Sequence, residues 1–405
     1  MNIRRGILGL SRRALAPLAF VCLFIVTFAL CDDALGQAAR ARRSARAVAS
    51  AAAAPAEALL QPILPAVETI VGVGVPSYVA PSIPRNDAAL YDVGVQNLSW
   101  RSRQGVSYSA IAYYPKNPPV DGGKFSVAIF SHGLGSSAES FAYLGRAWAS
   151  RGIVTILLKH PNSDESVWRG KLRPMAELRD AYAKYWPARD RAKAIIAAID
   201  LLETSNNAPG PMGSDLDLTK IAVAGNDLGA LAALLVAGQL PPDNGAPLKD
   251  SRVAAVLALS PPVFCDSSQA PRVYGGITVP LMVVSGTKDD GVVGTTKAYQ
   301  RRIPFDGVSL ADRYLVVLQG ADHRVYGGLR ISSQRQAADA SFQETISVAA
   351  SDFFSAYLME DEARLEMLRA RGAASPLQAA TVERRLGTNV ANASYSASRA
   401  SRERR

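Results

Sequence analysis

The most regular feature of the chain is a series of short apolar runs that alternate with helical patterns between residues 106 and 358. The strand-like runs are VSYSAIAYYP from Val106, FSVAIFS from Phe125, IVTILLK from Ile153, KIAVAG from Lys220, VAAVLALS from Val253, PLMVVSG from Pro280 and YLVVLQG from Tyr314. Helical periodicity appears near 140–151, 189–203, 229–238 and 338–358. Runs this apolar suit strands that are covered on both faces. The pattern predicts an α/β fold with a mostly parallel central sheet flanked by helices, an antiparallel entry from the first strands, and no large lid domain.

The two ends of the chain differ from this middle part. Residues 1–36 carry four arginines, then the apolar run Ala14–Leu30, then small residues, which is the order of a signal peptide with cleavage near Gly36. An uncleaved anchor is the alternative, since the run is nearly long enough to span a bilayer. We predict an exported, periplasmic or extracellular protein with an Ala/Pro/Arg-rich linker at 37–88, a folded domain at 89–373 and a disordered basic tail at 374–405.

The formal charge of +10 lies almost wholly outside the predicted domain, in the first 46 residues and the last thirty. The domain itself is near neutral and has no basic patch with interleaved aromatic residues, which argues against a nucleic-acid partner. Membrane contact is expected only through the N-terminal segment. Cys22 and Cys31 leave with a cleaved signal, so Cys265 has no cysteine partner in the mature chain.

Four loops that follow predicted strands carry the residue types of a hydrolytic site. Gly225–Gly229, with Asp227 at its centre, has the form of a nucleophile elbow, a tight strand-to-helix turn that raises one side chain. Taken alone, it is equally compatible with an ordinary loop. However, Ser131–Gly135 precedes it as a candidate oxyanion loop, and Asp289 and His323 each follow a later strand. The order of nucleophile, acid and histidine is the one that this architecture uses.

With these motifs, residues 91–368 resemble the bacterial predicted-dienelactone-hydrolase group of the α/β-hydrolase superfamily, which is related to platelet-activating-factor acetylhydrolases and secreted polyester-hydrolase-like enzymes. The segments that carry the resemblance are FSHGLGSS at Phe130, KHPNSD at Lys159, DLTKIAVAGNDLGA at Asp217, LSPP at Leu259, VPLMVVSGTKDD at Val279 and GADHRVYGG at Gly320. The resemblance implies that His323 is the general base and Asp289 its orienting carboxylate. It also implies an oxyanion hole made of the backbone N–H groups of Leu134 and Leu228, with His160 at the substrate pocket.

The acid has alternatives. Some acetylhydrolase relatives take it from the preceding strand, where this chain has Ser260. Asp289 is therefore favoured, with Asp290 and Asp266 in reserve.

The elbow departs from the resembled group, whose members read Gly-His-Ser-x-Gly where this chain has Asn226 and Asp227. A serine becomes a nucleophile when histidine takes its proton, and it yields an acyl-enzyme that water hydrolyses. A carboxylate that attacks an ester forms an anhydride and expels a more basic alkoxide, so an ordinary esterase cycle is disfavoured.

Aspartate elbows act on saturated carbon in the haloalkane dehalogenases and epoxide hydrolases, which this feature resembles. Dehalogenases place tryptophan after the nucleophile, where this chain has Leu228, and epoxide hydrolases use tyrosines of an inserted lid, for which residues 261–278 are too few. The aromatic residues after His160 are either leaving-group donors or packing residues: Trp168, Tyr182, Tyr185 and Trp186.

Two functions follow from these observations. The first is an exported hydrolase that acts on a small ester-, lactone- or alkyl-electrophile-type substrate through Asp227, Asp289 and His323. The alternative is a catalytically degenerate hydrolase fold kept as a binding or scaffold protein. Neither needs a cofactor, and His132, His160 and His323 do not have the spacing of metal ligands. A small-molecule substrate is the expected partner.

Overall fold

A single sheet of nine strands organises the part of the chain that the structure describes, residues 91–388 except 103, 120–121, 185–187, 207–215, 328–332 and 372–379. The structure is a computed structural model. The strands are β1 Val93–Arg101, β2 Ser107–Pro115, β3 Phe125–Ser131, β4 Ile153–Lys159, β5 Leu216–Asn226, β6 Val253–Leu259, β7 Leu281–Lys288, β8 Arg313–Asp322 and β9 Ala380–Arg385. Their order in the sheet is β1-β2-β4-β3-β5-β6-β7-β8-β9.

The centre of the sheet is parallel and its two edges are antiparallel. Strands β4, β3, β5, β6, β7 and β8 pair in parallel, whereas β1 pairs antiparallel to β2, β2 to β4, and β9 to β8. Every residue of β3 is buried, as expected for a strand with helices on both faces. The prediction of an α/β fold with a mostly parallel sheet and an antiparallel entry is confirmed.

Helices cover both faces of the sheet. They are α1 Ala142–Ala149, α2 Pro174–Lys184, α3 Ala188–Ser205, α4 Leu228–Ala237, α5 Ala270–Tyr274, α6 Ile303–Gly307, α7 Ser333–Leu358 and α8 Glu362–Arg371. One buried cluster joins the sheet to α3, α4, α5 and α6, and the other joins it to α1, α7 and α8. Because α4 reads LGALAALLVA, it is apolar all round and buried along its whole length.

The C-terminal strand was not predicted. The expectation that residues 374–405 form a disordered tail is wrong for β9, which pairs with β8 over six residues. Asp312 holds this end of the chain through both carboxylate oxygens. One accepts from the Tyr357 hydroxyl at 2.8 Å and the Arg369 guanidinium at 2.9 Å, and the other accepts from the Gly387 N–H at 2.9 Å. The strand is therefore stabilised by contacts that lie far away in sequence.

The predicted signal peptide and the linker at 37–88 lie outside the described residues, as do residues 389–405. Among the helices that the structure describes, none combines the length and apolar character that a membrane span requires. Cys265 is a half-buried free thiol.

Candidate active site

Asp227 stands on a strained turn between the last residue of β5 and the first residue of α4. Its φ of 51° and ψ of −120° are unusual for a residue with a side chain. The turn is tight because Gly225 and Gly229 lack side chains: a Cβ on Gly225 would lie 2.2 Å from the Gly229 carbonyl, and one on Gly229 would lie 1.9 Å from the Ser131 oxygen. This conformation leaves the Asp227 side chain 16% exposed at the carboxyl edge of the sheet.

His323 and Asp289 reach the same edge from the ends of β8 and β7. The Nδ1 atom of His323 lies 2.9 Å from Asp289 Oδ1, and its Nε2 atom lies 4.0 Å from Asp227 Oδ1. When Nδ1–H donates to Asp289, Nε2 is left as the basic nitrogen on the side of Asp227. The structure therefore brings together the three residues that the sequence singled out as nucleophile, acid and histidine.

The Asp289 carboxylate is fully buried and surrounded by hydrogen-bond donors. Its Oδ1 accepts from the Ser260 hydroxyl at 2.9 Å, and its Oδ2 accepts from the Tyr326 hydroxyl at 3.0 Å. The Arg301 guanidinium adds an ion pair, with Nε 3.1 Å from Oδ1. Burial, and after it the charge of Asp289, raises the pKa of Tyr326 well above its ordinary value, so that its hydroxyl remains a donor. A buried carboxylate with this many partners is held in one position.

Sequence reasoning did not identify Arg301 or a role for Ser260. Ser260 follows β6 with a φ of 52°, and its hydroxyl lies 2.9 Å from both Asp289 Oδ1 and His323 Nδ1. The position after this strand was considered only as an alternative place for the acid. No sequence signal separates Arg301 from Arg302, which forms a partly exposed ion pair with Asp306.

The predicted oxyanion loop lies against the elbow. A Cβ on Gly133 would be 3.1 Å from the Asp227 Cβ, so the peptide before Leu134 passes directly beside the nucleophile position. Leu228 is the first residue of α4, and its N–H has no partner within the helix. Both predicted backbone donors thus belong to residues close to Asp227. Arg191 supports the loop from α3, donating from Nη1 to the His132 carbonyl at 2.6 Å.

His132, a residue of this loop, and His160, beside it, are neutral rings. Burial lowers the pKa of His132 to about 3 and that of His160 well below its usual value, with the charge of Arg191 as the second cause for both. His160 Nε2 lies 2.8 Å from the Ser131 hydroxyl, and the ring is 9% exposed. The structure therefore places His160 under the base of the oxyanion loop, and its assignment to substrate binding stays a prediction.

Helix α2 lies close to two loops of the site. Trp168, just before it, donates from Nε1 to the Gly135 carbonyl at 2.6 Å. Within α2, the Tyr182 hydroxyl lies 3.0 Å from the position that a Cβ on Gly294 would occupy, in the loop that follows Asp289. Burial, and after it the charge of Asp227, raises the pKa of Tyr182 to about 12. A protonated phenol therefore lies near the Asp227 carboxylate, whereas Tyr185 and Trp186 fall outside the described residues.

Such a site has a defined chemical capacity. Asp227 is a partly buried, solvent-accessible carboxylate that needs no base to become a nucleophile, and His323 is an imidazole held by a carboxylate. In the part of the chain that the structure describes, no three histidine, cysteine or acidic side chains are grouped as a metal ion would require.

Comparison with protein-family models and with curated proteins found no match for this chain.

Proposed function

We propose that this protein is a hydrolase of the α/β-hydrolase fold that acts on a small electrophilic substrate, with Asp227 as nucleophile and His323 as general base. The observation that carries the proposal is the opposition of the two groups: His323 Nε2 lies 4.0 Å from Asp227 Oδ1 while Nδ1 is held by Asp289. The strained backbone at Asp227 supports it, because strain of this kind concentrates at functional sites.

Within the ester-, lactone- and alkyl-electrophile class, the aspartate favours an alkyl electrophile. Attack of Asp227 on an acyl carbon gives an anhydride, which lies uphill from an ester or lactone. Attack on a saturated carbon gives an alkyl ester, a stable intermediate that a general base can hydrolyse.

The reaction then has two steps. In the first, an Asp227 oxygen forms a bond to the substrate carbon while the bond from that carbon to the leaving group breaks. In the second, His323 Nε2 takes a proton from water, and the resulting hydroxide adds to the carbonyl carbon of the Asp227 ester. The backbone N–H groups of Leu134 and Leu228 stabilise the oxyanion, an effect that is typically worth a few kcal/mol. The acyl–oxygen bond breaks and His323 returns its proton to the departing alkoxide. The carboxylic acid of Asp227 then releases its proton to water, which restores the carboxylate.

The proposed setting is outside the cytoplasm. It is supported by the arginines and the apolar run of residues 1–36. The near-neutral charge of the domain supports a small-molecule substrate rather than a nucleic acid.

The test is turnover of a panel of epoxides, alkyl halides and short acyl esters by the purified protein and two variants at position 227. We expect the native protein to hydrolyse an alkyl electrophile and Asp227→Asn to lose about a thousand-fold or more of that rate. Asp290→Asn is the matched control, because Asp290 is adjacent to Asp289 but points to the surface, where it binds Lys297 at 2.9 Å.

The opposite pattern supports the degenerate-scaffold alternative. If the native protein turns over nothing in the panel while Asp227→Ser gains activity on short acyl esters, the hydrolase proposal fails.

A further inference from the structure

Arg301 is a buried cation at the centre of the candidate site. It is 1% exposed and lies in the short 3-10 helix Ala298–Arg302. Its Nη1 donates to the Ser260 carbonyl at 2.7 Å, and its Nε donates to the Asp289 carbonyl at 2.7 Å. Its Nη2 lies 3.2 Å from His323 Nδ1. The guanidinium therefore touches the loops after β6 and β7 and the histidine itself.

The electrostatic problem of this site is that one imidazole lies between two carboxylates. Asp289 is 2.9 Å from Nδ1 and Asp227 is 4.0 Å from Nε2. Carboxylates on both sides favour the protonated form of an imidazole. A protonated imidazole has no lone pair with which to take a proton from water, so it is not a base. A serine at position 227 would not create this problem, because a hydroxyl is neutral.

Arg301 offsets the negative charge of one of the two carboxylates, Asp289. The same oxygen, Asp289 Oδ1, accepts from His323 Nδ1 at 2.9 Å and lies 3.1 Å from Arg301 Nε. The negative charge of Asp289 is thus already paired with a buried positive charge before His323 gains a proton. In addition, a guanidinium that lies 3.2 Å from Nδ1 repels an imidazolium.

We propose that Arg301 is a positioning residue: by pairing with Asp289 it offsets one of the two carboxylates between which His323 lies, and so favours the unprotonated imidazole. The inference rests on the proposed function, in which His323 acts as base.

The other charged and titratable groups around His323 do not replace Arg301. Tyr326, after β8, and Tyr182, on α2, are neutral phenols whose pKa values are raised, first of all by burial. Arg191, on α3, donates to the carbonyl of His132 and faces Asp227 rather than Asp289. Next to His323 in the chain, the Asp322 carboxylate accepts from the Arg324 N–H at 2.9 Å.

The experiment is a pH titration of the histidine ring protons by NMR in the full folded protein, with His323 assigned by its loss in His323→Gln. We expect Arg301→Gln to raise the titration midpoint of His323 by about one pH unit or more relative to the native protein. Arg301→Lys, which keeps the charge, should restore most of the native midpoint. Arg302→Gln is the matched control, because its guanidinium binds Asp306 and Glu383 at the surface, and it should leave the midpoint unchanged.

A second variant leaves Arg301 in place and so remains informative if Arg301→Gln does not fold. Asp227→Asn removes the second carboxylate beside His323, and it should lower the midpoint of His323 by about one pH unit. The inference is overturned if either folded variant leaves the midpoint of His323 where it is in the native protein. Because the titration uses no substrate, a protein that turns over nothing still gives a clear answer, and failure of the proposed reaction is separable from failure of this inference.

Discussion

The close approach of the elbow to the end of β3 makes Gly229 the most demanding position of the site. A Cβ there would lie 1.9 Å from the Ser131 carbonyl oxygen, 2.5 Å from the Ser131 carbonyl carbon and 2.8 Å from the His132 oxygen. All three atoms are backbone atoms of the strand end and the oxyanion loop, so no side chain can rotate away. Carbon and oxygen normally approach to about 3.3 Å, so the Gly229→Ala variant has to separate α4 from β3 by more than about 1 Å.

Because both elements are packed at core density, we expect Gly229→Ala to lower the free energy of unfolding by about 3 kcal/mol or more. The measurement is urea unfolding of the purified variant beside the native protein. Gly245→Ala is the matched control, since its Cβ would meet the far end of the partly exposed Arg189 side chain at 2.5 Å. Near-native stability of Gly229→Ala would refute the packing of the elbow described above.

Three further results are expected. Tyr326→Phe removes a 3.0 Å hydrogen bond to the buried carboxylate of Asp289 and should cost about 1.5–3 kcal/mol in urea unfolding. His132 and His160 are neutral when folded, because burial holds the pKa of each below the 6.5 of the unfolded chain, so their contribution to stability is present above pH 6.5 and is lost as the pH falls. Protonation of His132 should cost about 1.5 kcal/mol between pH 6.5 and 5, and His160→Gln should reduce the acid dependence of stability that both histidines cause. Asp312→Ala should release β9, seen as faster amide exchange of the strand while the sheet centre stays protected.

Each of these results has a control or a contrary outcome. Tyr299→Phe, at a position that is 76% exposed, should cost nothing, and an equal loss from both tyrosine variants would contradict the role given to Tyr326. An unchanged acid slope in His160→Gln would show that the ring is not neutral in the folded state. Slow exchange of β9 in Asp312→Ala would mean that strand pairing alone holds it.

The features that the sequence predicted well are those set by neighbouring residues. The run FSVAIFS predicts a strand covered on both faces, and it forms β3, buried along its length. Gly225 and Gly229 indicate a turn that leaves no room for a Cβ at either of these two positions. The short distances from such a Cβ to neighbouring backbone atoms show why. Asp289 and His323 were identified because each directly follows such a strand.

The features that were missed depend on contacts between distant residues. Arg301 and Arg302 are adjacent and chemically identical, and only the orientation of their 3-10 helix turns one toward Asp289 and the other toward Glu383. In the same way, β9 reads ATVERR, a sequence of little apolar character whose stability comes from β8 and Asp312. The local sequence therefore indicates neither the orientation of Arg301 nor the strand β9.

The central claim is that Asp227 becomes covalently attached to substrate, and the most direct measurement is mass spectrometry of the peptide that contains it. His323→Gln is the variant to use, since without a base the ester should form and then persist. After incubation with a panel of epoxides and alkyl halides, the account predicts a mass gain on Asp227 equal to the transferred alkyl group, absent when Asp227→Asn is added. No adduct with any member of the panel, or adducts only at other residues, would contradict the account.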